Sequence, residues 1–243
     1  MQQVWVGSRE RAVRVDLPPA HFEVLPGLAW GHANDPSSPA YWAARCRYPG
    51  EESPDFVTSD ATLLEVVGFC LLGGFGIRYE VNLAAYERLR GAGAFDPDAS
   101  VSQTEMQAML LRPLQVGGRS VRYRFPNQRS RRLASMRSRL SGVRPEGASA
   151  LELRQRLLSI DGVGPKTASW IVRNLLGSDE VAILDVHIIR ACRAMTLFPE
   201  RIVLPRDYDA LERRFLDLAQ GIGVPASLLD GVMWTEVRGG LAR

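Results

Sequence analysis

The sequence predicts a mainly α-helical protein that carries a small β-containing segment at its N-terminus. From Thr62 onward, apolar residues recur with the 3.6-residue period of helices in one segment after another. In the first 20 residues they alternate in part with polar residues, as they do in a half-buried β-hairpin. The chain has 243 residues, of which 46% are hydrophobic, so it can bury one large core or two smaller ones.

The N-terminal region divides into a predicted hairpin and a segment without regular structure. Residues 1–20 contain QVWVG and AVRVDL on either side of the polar sequence SRER. Residues 24–58 are rich in proline, glycine and serine and contain Trp30, Tyr41 and Trp42. We expect this segment to be irregular and to pack on the helical body. The predicted organisation is therefore an N-terminal extension, 1–58, followed by a helical domain, 59–243.

Nine helices are predicted after the extension. The first is apolar enough to be buried, and a glycine-rich break, GGFG, separates it from the second. The third opens with SQTE, which resembles a capping box. The predicted helices cover residues 62–72, 77–90, 102–111, 127–140, 150–159, 166–176, 186–197, 208–221 and 227–237.

Composition argues against a membrane protein and against a disulfide or metal framework. No apolar run approaches the ~20 residues that a membrane-spanning helix needs, and the N-terminus lacks the features of a signal peptide. The 3 cysteines are widely spaced, so neither a disulfide framework nor a four-cysteine iron–sulfur site is expected. The 3 histidines lack a zinc-binding spacing. We expect a soluble intracellular protein without a metal centre.

One stretch of the sequence carries charge of a single sign. No acidic residue lies between Glu105 and Glu146, whereas the same stretch contains ten arginines, from Arg112 to Arg144. A surface of this kind attracts polyanions such as nucleic acids. A solvated, arginine-rich helix is the structural alternative.

Lys166 is the single lysine among the 30 basic residues of the chain. Arginine stays protonated under all relevant conditions, whereas a desolvated lysine can lose its proton and act as a nucleophile or form a Schiff base. Chance survival of one lysine in an arginine-biased sequence is the alternative. The position of Lys166 favours a chemical role, as the next segment indicates.

Residues 157–168, LLSIDGVGPKTA, predict a helix–turn–helix hairpin. Pro165 suits the first position of a helix, and Gly162 and Gly164 allow positive φ angles and remove side-chain bulk. The turn can therefore present backbone N–H groups, including that of Val163, to a phosphate at the N-terminus of the second helix. A GxG pair alone is a weak signal, but the agreement of turn, proline and flanking helices is more specific.

This segment resembles the hairpin of the helix-hairpin-helix (HhH-GPD) superfamily of DNA glycosylases. In its lysine-bearing members the catalytic lysine directly follows the turn, where this chain has Lys166. The resemblance also implies a catalytic aspartate, Asp185 in ILDVHIIR, although an ordinary helix N-cap is the structural alternative for that residue. A helix of roughly 17 Å and a connection of up to roughly 27 Å allow the chain to bring the two together. The implied fold is the two-lobed helical HhH-GPD fold.

The resemblance extends from about Ala61 to the C-terminus and is closest to the type-2 8-oxoguanine DNA glycosylases. It implies DNA-backbone contacts from the hairpin, His187 and Arg129. Arg129 lies in VRYRFPNQRSRR, which resembles the RF-x-N helix opening of the family. Trp234 would hold a flipped base, and the carboxylate of Arg243, where the family ends in lysine, would bind the purine N–H groups. Phe75, Arg78 and Tyr79 lie where the family places residues that fill the gap left by the flipped base. Each of these has a structural alternative as a core or solvated residue.

The expected function is that of a bifunctional DNA glycosylase/AP lyase which excises 8-oxoguanine through a lysine Schiff base. Burial is expected to hold Lys166 neutral for attack. The expected partner is double-stranded DNA with a damaged base, bound by a monomer in the cytoplasm, associated with the nucleoid. No cofactor is expected, although the resemblance allows a monovalent cation at the hairpin. The alternatives are a glycosylase for another modified base and a non-catalytic helix-hairpin-helix DNA-binding protein.

Overall fold

The computed structural model describes residues 1–7, 11–48, 61–74, 76–145 and 147–241, and it confirms a mainly α-helical fold. The described part of the chain contains ten α-helices and three two-stranded antiparallel sheets. It forms two compact units. Unit 1 combines Met1–Phe56 with Val172–Arg243, and unit 2 comprises Val57–Ile171.

The predicted N-terminal hairpin is present in unit 1. Strand β1 (Gln2–Val6) pairs antiparallel with β2 (Val13–Leu17), with Val4 opposite Val15. The side chains of Val6, Val15 and Leu17 are buried, so the alternation in the sequence follows the two faces of the ribbon. A second, shorter pair is formed by β3 (Glu23–Leu25) and β4 (Leu28–Ala29).

The expectation of irregular structure throughout residues 24–58 is wrong, because a helix, α1 (Pro39–Cys46), lies within this segment. Ser38 caps the helix by accepting a hydrogen bond from the Tyr41 backbone N–H, and Pro39 occupies the first turn. Trp42 is only 1% exposed, and the alanines around it are buried as well. Helix α1 is therefore part of the hydrophobic core of unit 1.

The remaining helices of unit 1 are α8 (Val186–Ala194), α9 (Tyr208–Ile222) and α10 (Ala226–Glu236). They bury apolar side chains together with α1 and the N-terminal strands. Beyond α10 the chain continues as a π-helical turn, Val237–Leu241, in which Gly240 has a non-helical φ of 111°. Helix α8 ends three residues before the predicted end, and Thr196 there has a positive φ of 59°.

Unit 2 contains the predicted helices from residue 62 to the hairpin. They are α2 (Leu63–Leu72), α3 (Tyr79–Gly91), α4 (Gln103–Leu111), α5 (Pro126–Leu140) and α6 (Ala150–Leu158), followed by the first part of α7 (Pro165–Leu176). Capping boxes begin three of them, with Thr62, Ser102 and Ser149 as the capping residues. Each box satisfies two backbone donors that the first helical turn leaves without partners.

A third hairpin, not predicted from the sequence, lies between α4 and α5. Strands β5 (Leu114–Val116) and β6 (Arg119–Val121) pair antiparallel around Gly117 and Gly118. Both glycines have positive φ angles, of 55° and 74°, which is the conformation of a two-residue hairpin turn. The Gly-Gly pair in the sequence was the available signal for this hairpin.

The two units divide the chain differently from the predicted extension and helical domain. Unit 2 begins at Val57, close to the predicted boundary at residue 59, but a second boundary at Val172 lies within α7. The N-terminal residues belong to the same unit as the C-terminal helices. No local sequence signal marks the second boundary, because α7 continues through it.

Candidate active site

The predicted hairpin of unit 2 has the expected local structure. Helix α6 ends at Leu158, Gly162 has a φ of 91°, and α7 begins at Pro165. The Val163 N–H donates to the Ile160 carbonyl at 3.0 Å, and the Val163 side chain is buried. The N–H of Val163 is thus used within the turn, whereas Gly162 and Gly164 are exposed.

Arg132 lies against this hairpin, a contact that sequence reasoning did not single out. Its Nε and Nη2 lie 3.2 and 3.4 Å from the two carboxylate oxygens of Asp161. A Cβ atom at Gly162 would lie 2.8 Å from Arg132 Nε, so the arginine occupies the space that a side chain would take. Gly162 therefore allows both the positive φ angle of the turn and the close approach of the Arg132 guanidinium from α5.

Lys166 lies in the first turn of α7, directly after the hairpin, and it is exposed. The expectation that Lys166 is buried is therefore wrong for the DNA-free protein. Cys70 in α2 lies close enough to Lys166 for the charge of the lysine to act on the thiol. Burial raises the pKa of the Cys70 thiol to about 12, and the charge of Lys166 acts in the opposite direction. The thiol is thus protonated near neutral pH.

Arg129 requires a correction, because the structure does not present it for a DNA-backbone contact. Its side chain is buried, and its Nη2 donates to the Gly73 carbonyl at 2.9 Å. The guanidinium also lies 5.8 Å from the centre of the Phe125 ring. Arg129 consequently holds the end of α2 and the glycine-rich segment in place, a structural role that the arginine-rich sequence did not distinguish from phosphate binding.

The residues predicted to fill the gap left by a flipped base follow the glycine-rich break. Arg78 is exposed at the N-cap of α3, and Tyr79 is 64% exposed and packs edge to face against Phe69, with ring centres 6.2 Å apart. Phe75 lies outside the described residues. Exposure of Arg78 and Tyr79 is compatible with contact to DNA, and their role stays a prediction.

Asp185 of unit 1 has the predicted position at the N-cap of α8. Its Oδ1 accepts hydrogen bonds from the backbone N–H groups of His187 and Ile188, at 2.8 and 3.0 Å. The carboxylate is only partly exposed. Both capping bonds use the same oxygen, so the cap and an interaction of Oδ2 with another group are compatible.

A network of buried polar side chains fixes the segment that leads to Asp185. Asp230 accepts hydrogen bonds from Arg173 Nη1 at 2.5 Å and from the Ile183 N–H at 3.2 Å. Arg173 also donates to the Val181 carbonyl at 3.2 Å. Further bonds join the backbone of Ala182 and Leu184 to Glu212 and Tyr208. Sequence reasoning missed these residues, since each lies at an ordinary position of its helix.

The Arg173–Asp230 pair is expected to be required for the stability of unit 1. Both side chains are 7% exposed, so Asp230→Ala would leave the Arg173 charge buried without a counter-ion. Loss of one partner of a buried pair costs about 3–5 kcal/mol of unfolding free energy. Urea unfolding measures this loss, and the exposed pair Arg206–Asp207 supplies a control, because Arg206→Ala is expected to leave the midpoint unchanged. A wild-type midpoint for Asp230→Ala would contradict this assignment.

Three aromatic and charged groups meet beside Asp185 in unit 1. The rings of His187 and Trp234 are perpendicular, with centres 6.5 Å apart, and the Arg238 guanidinium lies 4.6 Å from the centre of the Trp234 ring. His187 thus packs on the predicted base platform. Arg238 was not predicted, although it lies one helical turn after Trp234. Arg243 lies outside the described residues.

A comparison with known protein families agrees with these local structures. A model of the 8-oxoguanine DNA glycosylase family matches residues 75–224, which is more than half of the chain. The chain belongs to this family. The match includes the hairpin, Lys166 and Asp185, and it leaves out α1 and α10.

Curated relatives in the family carry the name 8-oxoguanine DNA glycosylase/AP lyase. That of Metallosphaera sedula is 35% identical over 125 residues, which are 50% of this chain and 61% of the relative. That of Saccharolobus solfataricus is 30% identical over 125 residues, which are 48% of this chain and 60% of the relative. The chain thus spans about 60% of the length of the curated relatives it matches.

Solved structures of the family support the fold. The 8-oxoguanine DNA glycosylase of Thermotoga maritima is 23% identical, with a TM-score of 0.54, over 84% of this chain and 91% of that one. The enzyme of Methanocaldococcus jannaschii, in complex with a 15mer DNA containing 8-oxoguanine, is 22% identical, with a TM-score of 0.52, over 74% and 82% of the two chains. These structures are helical, which agrees with the mainly α-helical fold predicted for this chain.

The predicted site residues fall into two groups, one in each unit. Unit 2 carries the hairpin with Lys166, and unit 1 carries Asp185, His187 and Trp234. The pairing of Lys166 with Asp185 stays a prediction. Among the described residues, no group of three or more histidine, cysteine, aspartate or glutamate side chains could hold a metal ion, and no helix is long and apolar enough to cross a membrane.

Proposed function

We propose that this protein is a DNA glycosylase/AP lyase which excises 8-oxoguanine with Lys166 as the nucleophile. The observation that carries the proposal is the position of the single lysine: it lies in the first turn of α7, directly after the hairpin, in a member of the 8-oxoguanine DNA glycosylase family. An amine can attack carbon and form a Schiff base, which none of the 29 arginines can do at neutral pH.

Binding to DNA would begin at the phosphates. Gly162 and Gly164 are exposed, and their backbone N–H groups lie at the N-terminal end of α7, where the helix dipole favours an anion. Arg132 lies beside the turn, where it pairs with Asp161 and would approach a bound phosphate. These contacts would offset the few kcal/mol that rotation of a nucleotide out of the duplex costs. The flipped nucleotide would also remove water from the exposed amine of Lys166, which the DNA-free protein does not do.

The proposed reaction replaces the bond between the base and the sugar by a bond to the enzyme. The neutral Lys166 amine attacks C1′, and the base leaves with the electron pair of the glycosidic bond and takes up a proton. The Asp185 carboxylate stabilises the positive charge that develops on the sugar and assists proton transfer. Opening of the sugar ring produces a protonated Schiff base. Loss of a C2′ proton then breaks the C3′–O bond and cleaves the strand.

The damaged purine would be recognised in unit 1. Trp234 offers an aromatic face on which a base can stack. Arg78 and Tyr79 would fill the gap in the duplex. The solved complex of the Methanocaldococcus jannaschii relative contains 8-oxoguanine, which supports the choice of this lesion for the first test.

A single-turnover assay on duplex DNA with one 8-oxoguanine tests the proposal. We expect release of the base and cleavage of the strand at the lesion, and no cleavage of the same duplex with guanine. Duplexes with oxidised pyrimidines and other modified purines distinguish a different glycosylase. Binding to DNA without excision of any lesion would instead indicate a non-catalytic helix-hairpin-helix protein and would overturn the proposal.

The proposed partner is double-stranded DNA that contains a damaged base. We further propose that the protein acts as a monomer in the cytoplasm, associated with the nucleoid. The monovalent cation at the hairpin stays a prediction, and no step of the reaction depends on it.

A further inference from the structure

Helix α1 contacts the C-terminal end of α10 through three polar side chains. Tyr41 and Arg45 lie one turn apart on the same face of α1. The Tyr41 hydroxyl donates to Glu236 Oε2 at 3.4 Å, and Arg45 Nη2 forms an ion pair with Glu236 Oε1. The Glu236 side chain is 13% exposed and that of Arg45 is 27% exposed, so water screens this cluster less than it would screen a surface pair.

The position of Glu236 is unfavourable without these partners. Its carboxylate is largely buried, and a buried charge is destabilising unless a counter-ion or hydrogen bonds compensate it. Arg45 supplies that counter-ion from a segment more than 190 residues earlier in the chain. Burial, together with the nearby Glu236 charge, raises the pKa of Tyr41 to about 12, so its hydroxyl remains a donor.

Glu236 connects this cluster to the predicted base platform. It lies two residues after Trp234, which packs against His187, and two residues before Arg238, which lies over the Trp234 ring. Helix ends fray unless side chains or packing hold them. Fixing Glu236 therefore fixes the turn of α10 from which Trp234 and Arg238 project.

We infer that α1 stabilises the part of α10 that recognises the base. Tyr41 and Arg45 are positioning residues that act through Glu236 on Trp234. The inference rests on the proposed function and assigns a role to the N-terminal segment, for which the sequence alone indicated none. All of these residues lie outside the part of the chain that the family model matches, 75–224. Tyr41 and Arg45 contact Glu236, so we expect their effect to be confined to steps that require a positioned base.

The test compares two reactions of the same intact protein. Excision of 8-oxoguanine requires a positioned base, whereas strand cleavage at a preformed abasic site requires only Lys166. Arg45→Met and Glu236→Gln are expected to reduce single-turnover excision by about 10- to 100-fold, the range that small misplacement of a bound group costs. Cleavage of abasic DNA is expected to stay within about twofold of wild type, since attack by the Lys166 amine is common to all variants.

Matched variants keep this test decisive. Arg47→Met removes a neighbouring arginine of the same segment, which donates to the Ile222 carbonyl of α9 at 3.2 Å rather than to Glu236, and it is expected to leave excision unchanged. Arg45→Lys, and the charge exchange Arg45→Glu with Glu236→Arg, are expected to restore part of the excision rate. Equal losses of excision and abasic cleavage, or wild-type excision in Arg45→Met, would overturn the inference. Absence of excision by the wild-type protein would instead overturn the proposed function.

Discussion

Lys166→Gln is expected to abolish both excision of 8-oxoguanine and cleavage of abasic DNA, with losses on the order of 10⁴-fold or more, as for other enzymes that lose their nucleophile. The amide cannot attack C1′ or form a Schiff base. Glutamine is a good helix former, so the first turn of α7 is expected to persist. Single-turnover rates on 8-oxoguanine and abasic duplexes measure the effect.

Lys166→Arg is the matched variant for this prediction. It keeps the positive charge but has no amine that can act as a nucleophile. We expect it to bind DNA as the wild type does and to be as inactive as Lys166→Gln. Substantial excision by the arginine variant would show that Lys166 contributes charge rather than a nucleophile.

Asp185→Asn is expected to bind damaged DNA with near wild-type affinity and to lose most excision, by at least about 100-fold. Asparagine caps helices as well as aspartate does, so the bonds to the N–H groups of His187 and Ile188 can persist. What disappears is the negative charge that stabilises the developing charge on the sugar. Excision rates and binding to a duplex with an uncleavable lesion analogue separate the two effects.

Asp207→Asn is the control for this variant, because Asp207 is the N-cap of α9 in the same unit. It is expected to leave excision unchanged. If Asp185→Asn also turned over at the wild-type rate, Asp185 would be a structural cap only, as the alternative interpretation of the sequence holds.

Helix boundaries were predictable where the sequence carries local stop and start signals. Ser102 caps α4 and Pro165 begins α7, as expected. Thr62 and Ser149 cap α2 and α6, close to the predicted helix starts at residues 62 and 150. Helix α1 was missed because its proline- and serine-rich surroundings resemble a loop, although Ser38 and Pro39 are themselves helix-start signals. The composition of the whole segment predicted a loop, and this prediction took precedence over the local start signal at Ser38 and Pro39.

The chemistry-bearing residues were predictable to the extent that a motif marks them. Lys166 and Asp185 lie in recognisable segments, and the local structure around each agrees with the prediction. Burial is a property of the tertiary structure, so sequence patterns did not show that Lys166 is exposed or that Arg129 is buried. The same applies to Arg173 and Asp230, which are 57 residues apart and meet only in the folded chain.

Borohydride trapping on 8-oxoguanine DNA tests most directly whether Lys166 is the nucleophile. Reduction of the Schiff base would leave a stable protein–DNA adduct, and peptide mapping of that adduct locates the modified residue. We predict one adduct, on the peptide that contains Lys166, and none with Lys166→Gln. An adduct of equal yield in Lys166→Gln, or wild-type excision that leaves no trapped complex, would contradict the account.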